Sequence, residues 1–505
     1  MTAVGEAIEV RSPIEGRVLG QVPRQPAVDV ERTAAALRAA QTQWEALGVP
    51  GRVRWLRRYR DWLLDNERRI TRLMHAEVGK PLPEAEVEYA MSIDILNYYA
   101  RRAKRFLAEG RPWPHSPVTA TRRLAVAYRP YPVVGLITPW NFPVGLTLFD
   151  ALPALAAGAA VLAKPSEFTP LAVRAVVEGW AEIGAPPVFD CVTGLAETGE
   201  AVVDGVDFVQ FTGSTRTGRA VAQRAAARLI PCGLELGGKD PAIVLADADV
   251  AQAAAGVAYA GLSNTGQMCT SAERIYVEAP IYEEFVARLV DVVGGLRQDT
   301  GDGYDTDLGP LVTTAQHGIV SRHVADAVAK GATARTGGEP GEGRFYPPTV
   351  LTGVDDTMDV MREETFGPVL PVVEVADAAE AVRRANATSY GLSAYVWTRD
   401  KRRGREVARQ LEVGAVNVND VATHLACFPV PQAGWKQSGI GGRSGGAYGI
   451  RKYTRPQTLN SPRVEMSLIA KLVWYPYAER KAKLVGRLLR FLSAGDLRRR
   501  LERPS

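Results

Sequence analysis

The chain has 505 residues, 46% hydrophobic and 23% charged, which is too long for one core and has the composition of a soluble globular protein of two or three domains. Four cysteines, Cys191, Cys232, Cys269 and Cys427, are too few and too scattered for a disulfide framework, and no pair has zinc-ligand spacing; the expectation is no metal and a reduced, cytoplasmic setting. The formal net charge is +5, but residues 478–505 carry nine Lys or Arg against three Asp or Glu, which leaves the other 477 residues at −1 and excludes a nucleic-acid footprint.

The start, "MTAVGEAIEVRSPIEG", has no basic region followed by an apolar run, so no secretory signal is expected. From Val28 to about Ala108 the pattern is helical, with Leu56, Tyr59, Leu63 and Ile70 on one face. The uncharged stretch "YPVVGLITPWNFPVGLTLF" (131–149) could span a bilayer by length. Pro139, Asn141 and Pro143 break it, and it reads as buried strand, loop and helix. Short apolar runs follow, "AAVLAKPS", "PVFDCVTG", "DFVQFTG" and "PAIVLA", alternating with Ala-rich helices in the βαβ manner of a parallel sheet. A second alternating block begins after Cys269 with "ERIYVEAP" and runs to "GAVNVND". A boundary between about Glu235 and Cys269 puts the cysteine at a domain cleft, where small-molecule sites concentrate.

Several pieces carry chemistry. In "ITPWNFP", Asn141 is an amide donor fixed between prolines, suited to stabilising an oxyanion or simply part of a rigid turn. "LAKPSEF" ends a strand with Lys164 and Glu167, an amine and a carboxylate able to hold ribose hydroxyls or to stand in a solvated loop. "FTGSTRTG" places Gly213 at a strand end and opens a helix with Ser214 and Thr215, whose free N–H groups suit a phosphate. In "LELGGKD", Glu235 lies between leucines, where desolvation raises its pKa towards that of a neutral-pH base. Cys269 has Gly266, Gln267, Thr270 and Ser271 around it, which is not a core set, so a nucleophile is favoured over a buried filler. None of the five histidines is near it in sequence, so the activating group must come from elsewhere.

In this order "PWNFP", "KPSE", "FTGST", "ELGGKD", "GQMCTS", "EETFGP" (363–368) and "AGWKQSG" (433–439) resemble the aldehyde dehydrogenase superfamily, from about residue 10 to 463. The resemblance implies an α/β fold: a Rossmann-like dinucleotide-binding domain (1–112 and 130–237), a catalytic domain (238–453), and protruding oligomerisation strands (113–129 and 454–463). It implies Cys269 as nucleophile, Glu235 as general base, and Asn141 with the Cys269 N–H as oxyanion hole. Trp140, Lys164, Ser166, Glu167, Gly213, Ser214, Glu364 and Phe366 would hold the dinucleotide, NAD or NADP, with Glu167 disfavouring a 2′-phosphate. The product would be a carboxylic acid, formed through a hemithioacetal and a thioester on Cys269.

Phe142, Leu146, Phe149 and Met268 resemble substrate-tunnel positions and are apolar; Phe149 stands where some succinic semialdehyde dehydrogenases carry an Arg. An uncharged aliphatic or aromatic aldehyde is therefore expected, with succinic semialdehyde the alternative that "SAERIYV" suggests. A CoA-acylating enzyme would lack the base Glu235 supplies. A cofactor-independent cysteine thioesterase would leave the phosphate loop idle, and an inactive binding protein would not need Cys269, Glu235 and Asn141 together. A homodimer or homotetramer is expected. The basic tail, 464–505, reads as an amphipathic helix with Leu484, Leu488, Phe491 and Leu492 on one stripe. Packing on protein as a lid or subunit contact is its first expected role, and peripheral contact with a membrane the second.

Overall fold

The computed structural model describes residues 7–115, 119–301, 303–463 and 468–501. The chain forms two compact units, one running up to Phe106 and again over Pro130–Tyr453, the other over Leu107–Arg129 and the chain after Tyr453.

In the larger unit, the helical stretch becomes Ala27–Ala46, Gly48–Asp65, Glu67–Val78 and Leu82–Phe106. Leu56, Tyr59, Leu63 and Ile70 are buried, as the periodicity requires. Gly79 ends the third helix at φ 76°, and a Cβ there would lie 2.8 Å from Pro13, so glycine is required twice over. Trp44 Nε1 donates to Leu155 O at 2.9 Å, tying these helices to the buried helix Pro143–Ala157.

A six-stranded sheet runs Gly439–Ile440, Cys232–Glu235, Phe208–Thr212, Val133–Ile137, Ala160–Lys164, Phe189–Cys191. All but the short Gly439 edge are parallel. Helices cover both faces of a parallel sheet, which explains the unbroken apolar runs. The five parallel strands have the spatial order 3-2-1-4-5, so the winding reverses between the Val133 and Phe208 strands, where open α/β sheets bind ligands beyond the strands' carboxyl ends.

A seven-stranded sheet in the same unit has the order Thr333–Thr336, Thr349–Thr352, Val369–Val375, Ala272–Glu278, Asp240–Val244, Ser393–Trp397, Ala415–Val418. The chain crosses between sheets in four residues, from Glu235 to Asp240, and the Asp240 strand pairs in parallel with the Ala272 strand. That pairing sets the approaches to the two strands, residues 236–239 and 269–271, side by side, which is how residues 34 positions apart come to share a site.

In the smaller unit, Arg122–Pro130 pairs with Thr454–Pro462 as a two-stranded sheet, and the tail forms helices Leu468–Val473, Glu479–Ser493 and Leu497–Leu501. No residue of Glu479–Ser493 is buried among the described residues. The ends of the expected tail, 464–467 and 502–505, lie outside the described residues. Among the described residues no helix is long and apolar enough to cross a membrane.

Candidate active site

The helix Val250–Leu262 stops at a single tight turn, Ser263–Gly266, in which Asn264 and Thr265 have φ of 51° and 57°. Non-glycine residues in this region cost about 1–3 kcal/mol each and persist only where their surroundings over-determine them. Here the Asn264 N–H donates to both carboxylate oxygens of Glu84 at 2.9 Å, and its Nδ2 donates to Asn141 O at 3.0 Å. Thr265 Oγ1 donates to Gly309 O at 2.9 Å, and Gln267 Oε1 accepts from the Val312 N–H at 2.9 Å. Gly266 is obligatory, since a Cβ would lie 2.1 Å from Gly367 O. The turn delivers Cys269 in one fixed place.

Cys269, Asn141, Glu235 and Arg443 line a single cavity of about 410 Å³. Asn141 Nδ2 donates to Gln267 O at 2.9 Å, which fixes the amide and leaves its second N–H available, while the Cys269 N–H donates to no described residue. Glu235 ends its strand buried, with Oε1 unpartnered. Burial pushes its carboxyl up to about 7, against the pull of Arg443 and Lys452. Burial likewise pushes the Cys269 thiol up to about 12, with Arg443 the main influence in the opposite direction. The resting sulfur is therefore a thiol.

No local pattern in the sequence points to Arg443. Its Nη2 donates to Asp150 Oδ2 at 2.8 Å, Thr212 Oγ1 at 2.8 Å and Leu146 O at 3.3 Å. Asp150 also accepts from Lys452 at 3.2 Å and the Tyr453 hydroxyl at 2.7 Å. Burial alone would raise the Asp150 carboxyl, but Arg443 and Lys452 hold it below its ordinary value. The signal in the sequence was Asp150 itself, the first charge to follow the apolar stretch that starts at Tyr131: a carboxylate there is buried only with a cation beside it.

One histidine does reach the cavity. His424 lines its wall, and its Nδ1 accepts from Asn417 Nδ2 at 2.8 Å. Burial lowers its pKa to about 4, so it is a weak, neutral imidazole near pH 7. Distance along the sequence hid it. The remaining wall is mostly apolar, with Phe142, Leu146, Phe149 and Met268 all present.

Of the residues expected to hold a dinucleotide, Trp140, Lys164 and Gly213 lie at or just beyond the carboxyl ends of three adjacent strands, Val133–Ile137, Ala160–Lys164 and Phe208–Thr212, while Glu364 and Phe366 precede the strand Val369–Val375 of the other sheet. Lys164 ends its strand buried, with Nζ 3.9 Å from Glu167 Oε2, and Ser166 Oγ donates to the same oxygen at 3.4 Å. Ser214 caps the helix Thr215–Ala227 by accepting from the Thr217 N–H at 3.3 Å, beside Gly213, where a Cβ would lie 2.7 Å from the Phe211 ring. Phe366, at φ 50°, meets Trp140 edge to face at 5.5 Å. Glu364 accepts from the Gly238 N–H at 3.1 Å, and burial pushes its carboxyl up to about 8. A cation and a carboxylate for ribose hydroxyls, and a capped helix start for phosphate, fit a nicotinamide dinucleotide at the winding reversal.

The family model described as "Aldehyde dehydrogenase family" matches residues 1–459. A Mycolicibacterium smegmatis protein that provisionally bears the name succinate-semialdehyde dehydrogenase [NADP(+)] is 42% identical over 90% of this chain and 89% of its own. The crystal structure of succinate-semialdehyde dehydrogenase from Burkholderia pseudomallei is similar at TM-score 0.87 and 36% identity, over 90% of this chain and 95% of that one. Betaine aldehyde dehydrogenase from Staphylococcus aureus, solved with NAD+, is similar at TM-score 0.87 and 30% identity, over 94% of each chain.

Proposed function

The chain belongs to the aldehyde dehydrogenase family and oxidises an aldehyde with NAD or NADP, and on that premise we propose that it works by covalent catalysis at Cys269. The observation that carries this reading is the single cavity lined by Cys269, Asn141 and Glu235. Glu235 relieves the thiol of its proton, the sulfur bonds to the aldehyde carbon, and the carbonyl oxygen becomes an oxyanion. That oxyanion accepts from the second Asn141 N–H and the Cys269 N–H. The bound nicotinamide supplies the acceptor for the hydride that leaves this carbon. Once Glu235 has passed the thiol proton to solvent, it takes a proton from water, which attacks the resulting thioester; the acid leaves, and the proton held by Glu235 returns to the released sulfur.

On this reading residues 1–112 and 130–237 bind the dinucleotide through Trp140, Lys164, Ser166, Glu167, Gly213, Ser214, Glu364 and Phe366, and 238–453 supply the catalytic cysteine, in a cytoplasmic enzyme. Its substrate is an uncharged aliphatic or aromatic aldehyde. The wall is mostly apolar, and its one Arg already faces Asp150. A semialdehyde is the second reading, because Arg443 Nη1 has no hydrogen-bond partner among the described residues and could receive a carboxylate. Reduced nicotinamide, followed over a panel of alkanals, benzaldehydes and succinic and glutaric semialdehydes, decides: kcat/KM highest for the semialdehydes refutes the uncharged class.

NAD is expected to exceed NADP in kcat/KM by roughly tenfold or more, because Glu167 beside Lys164 repels a 2′-phosphate. Glu167→Ser should narrow that ratio; equal use of both cofactors by the unmodified enzyme would remove the role given to Glu167.

The enzyme is expected to be a homodimer or homotetramer. An isolated two-stranded sheet is marginal and leaves open edges, and eight of the nine residues of Thr454–Pro462 are exposed. Sedimentation at micromolar concentration tests this, and a monomer would contradict it.

A further inference from the structure

The helix Glu479–Ser493 has two faces. At 100° per residue, Leu484, Val485, Leu488, Leu489, Phe491 and Leu492 fall within about half the circumference, while Arg480, Lys483, Arg487 and Arg490 gather on the other side; Lys481 is the one charge within the apolar arc, at the helix start, where its Nζ donates back to Trp474 O at 3.3 Å and Pro476 O at 3.0 Å. The apolar side chains stand open: Leu489 is 64% exposed, Phe491 53% and Leu484 51%. Just before the helix, Trp474, Tyr475 and Tyr477 are 68%, 80% and 74% exposed, a cluster of aromatic rings with polar tips. Leu497–Leu501 adds Arg498, Arg499 and Arg500. All of this lies beyond residue 459, where the match to the aldehyde dehydrogenase family stops, so the tail is an addition to the catalytic module.

We propose that the segment from Trp474 to Leu501 is a membrane-surface element, in which the helix Glu479–Ser493 lies flat on an anionic lipid bilayer with its leucines and Phe491 among the acyl chains and its arginines at the headgroups. Charge complementarity selects the partner. The nine basic residues after Tyr477 hold the chain's entire positive excess, and a leaflet of acidic lipids attracts each of them. A polyanion without an apolar interior, such as a nucleic acid, would satisfy the arginines and leave the leucine arc in water. The bilayer satisfies both faces, and Trp474, Tyr475 and Tyr477 belong at its interface, where rings with one wet end concentrate. The helix is 15 residues long, below the roughly 20 needed to span, so it rests on the surface instead of crossing it. The proposal does not depend on which aldehyde is oxidised.

Flotation with phosphatidylcholine–phosphatidylglycerol vesicles, against pure phosphatidylcholine vesicles, tests it with the full chain. The full chain should float with the anionic vesicles, lose that binding in high salt, and remain behind with pure phosphatidylcholine. Chains ending at residue 463, carrying Leu489→Glu with Phe491→Glu, or carrying Arg480→Glu with Arg487→Glu should each bind roughly tenfold less or not at all. All three should keep the sedimentation behaviour of the full chain and its turnover of a short, water-soluble aldehyde. Equal binding by the altered chains, binding indifferent to lipid charge, or no flotation of the full chain overturns the proposal. So does a change in oligomer size on truncation, which would mean that a second copy of the chain covers the stripe.

Discussion

Replacing Cys269 by Ser is expected to lower aldehyde oxidation by roughly 10⁴-fold or more, as removal of a covalent nucleophile does elsewhere. The argument rests on what the cavity offers in place of the sulfur. A serine hydroxyl is far more basic than a thiol and needs a strong base poised beside it to attack a carbonyl. The imidazole in the wall, His424, is held near 4 by burial, and its Nδ1 already accepts from Asn417. Glu235, near 7, can take a proton from a thiol but is a poor match for a hydroxyl. The substitution changes one atom in a turn whose geometry is set by Glu84, Asn141 and Gln267, so dinucleotide binding should survive. Quenching of tryptophan fluorescence by NAD separates lost chemistry from lost structure. Near-normal turnover in a variant that still binds NAD would rule out the covalent route.

The parts of the site that could be read in the sequence are those carried by local chemistry. Gly213 and Ser214 announce a strand end and a helix cap; Glu235 between leucines announces a buried carboxyl; the polar company of Cys269 marks it as more than core. The two sheets were legible because strands buried on both faces must be unbroken apolar runs. Arg443 and Asp150 were not legible, because their bond joins residues 293 positions apart and no local pattern records it. The same is true of Glu84, which holds the strained Asn264 from 180 residues away. Sequence distance hides His424, which the one-turn helix Thr423–Ala426, after the strand Ala415–Val418, brings to the cavity wall. What covers the tail's apolar stripe is not legible for a different reason. Packing on protein is the usual fate of such a stripe, and an amphipathic pattern gives the same signal whether its apolar side meets protein or lipid.

Replacing Glu235 by Gln is expected to slow the steady state by about 10²- to 10⁴-fold, the span of a lost general base, and to slow the first turnover less, because hydroxide can still take the thiol proton. A thioester can form once the thiol proton finds another acceptor, including water at high pH, but its hydrolysis needs a base positioned on the attacking water. Rapid mixing should therefore show a burst of reduced nicotinamide close to one per active site, followed by a slow phase. The pH profile supplies a second signature. Because burial raises the Glu235 carboxyl from 4.5 to about 7, the ionised base is present only above that value, so steady-state turnover of the unmodified enzyme should climb as pH rises through about 7. The glutamine variant should lack that limb. Stability must move the opposite way: a carboxyl that ionises later in the fold than in the unfolded chain favours the fold below pH 4.5, and that contribution is lost as pH rises through 7. The linkage amounts to about 3 kcal/mol. Glu235→Gln should consequently raise Tm at pH 8 relative to the unmodified enzyme and leave it nearly unchanged at pH 5. A variant that loses burst and steady state together and melts lower at pH 8 would show that Glu235 holds the cavity in shape and is not its base.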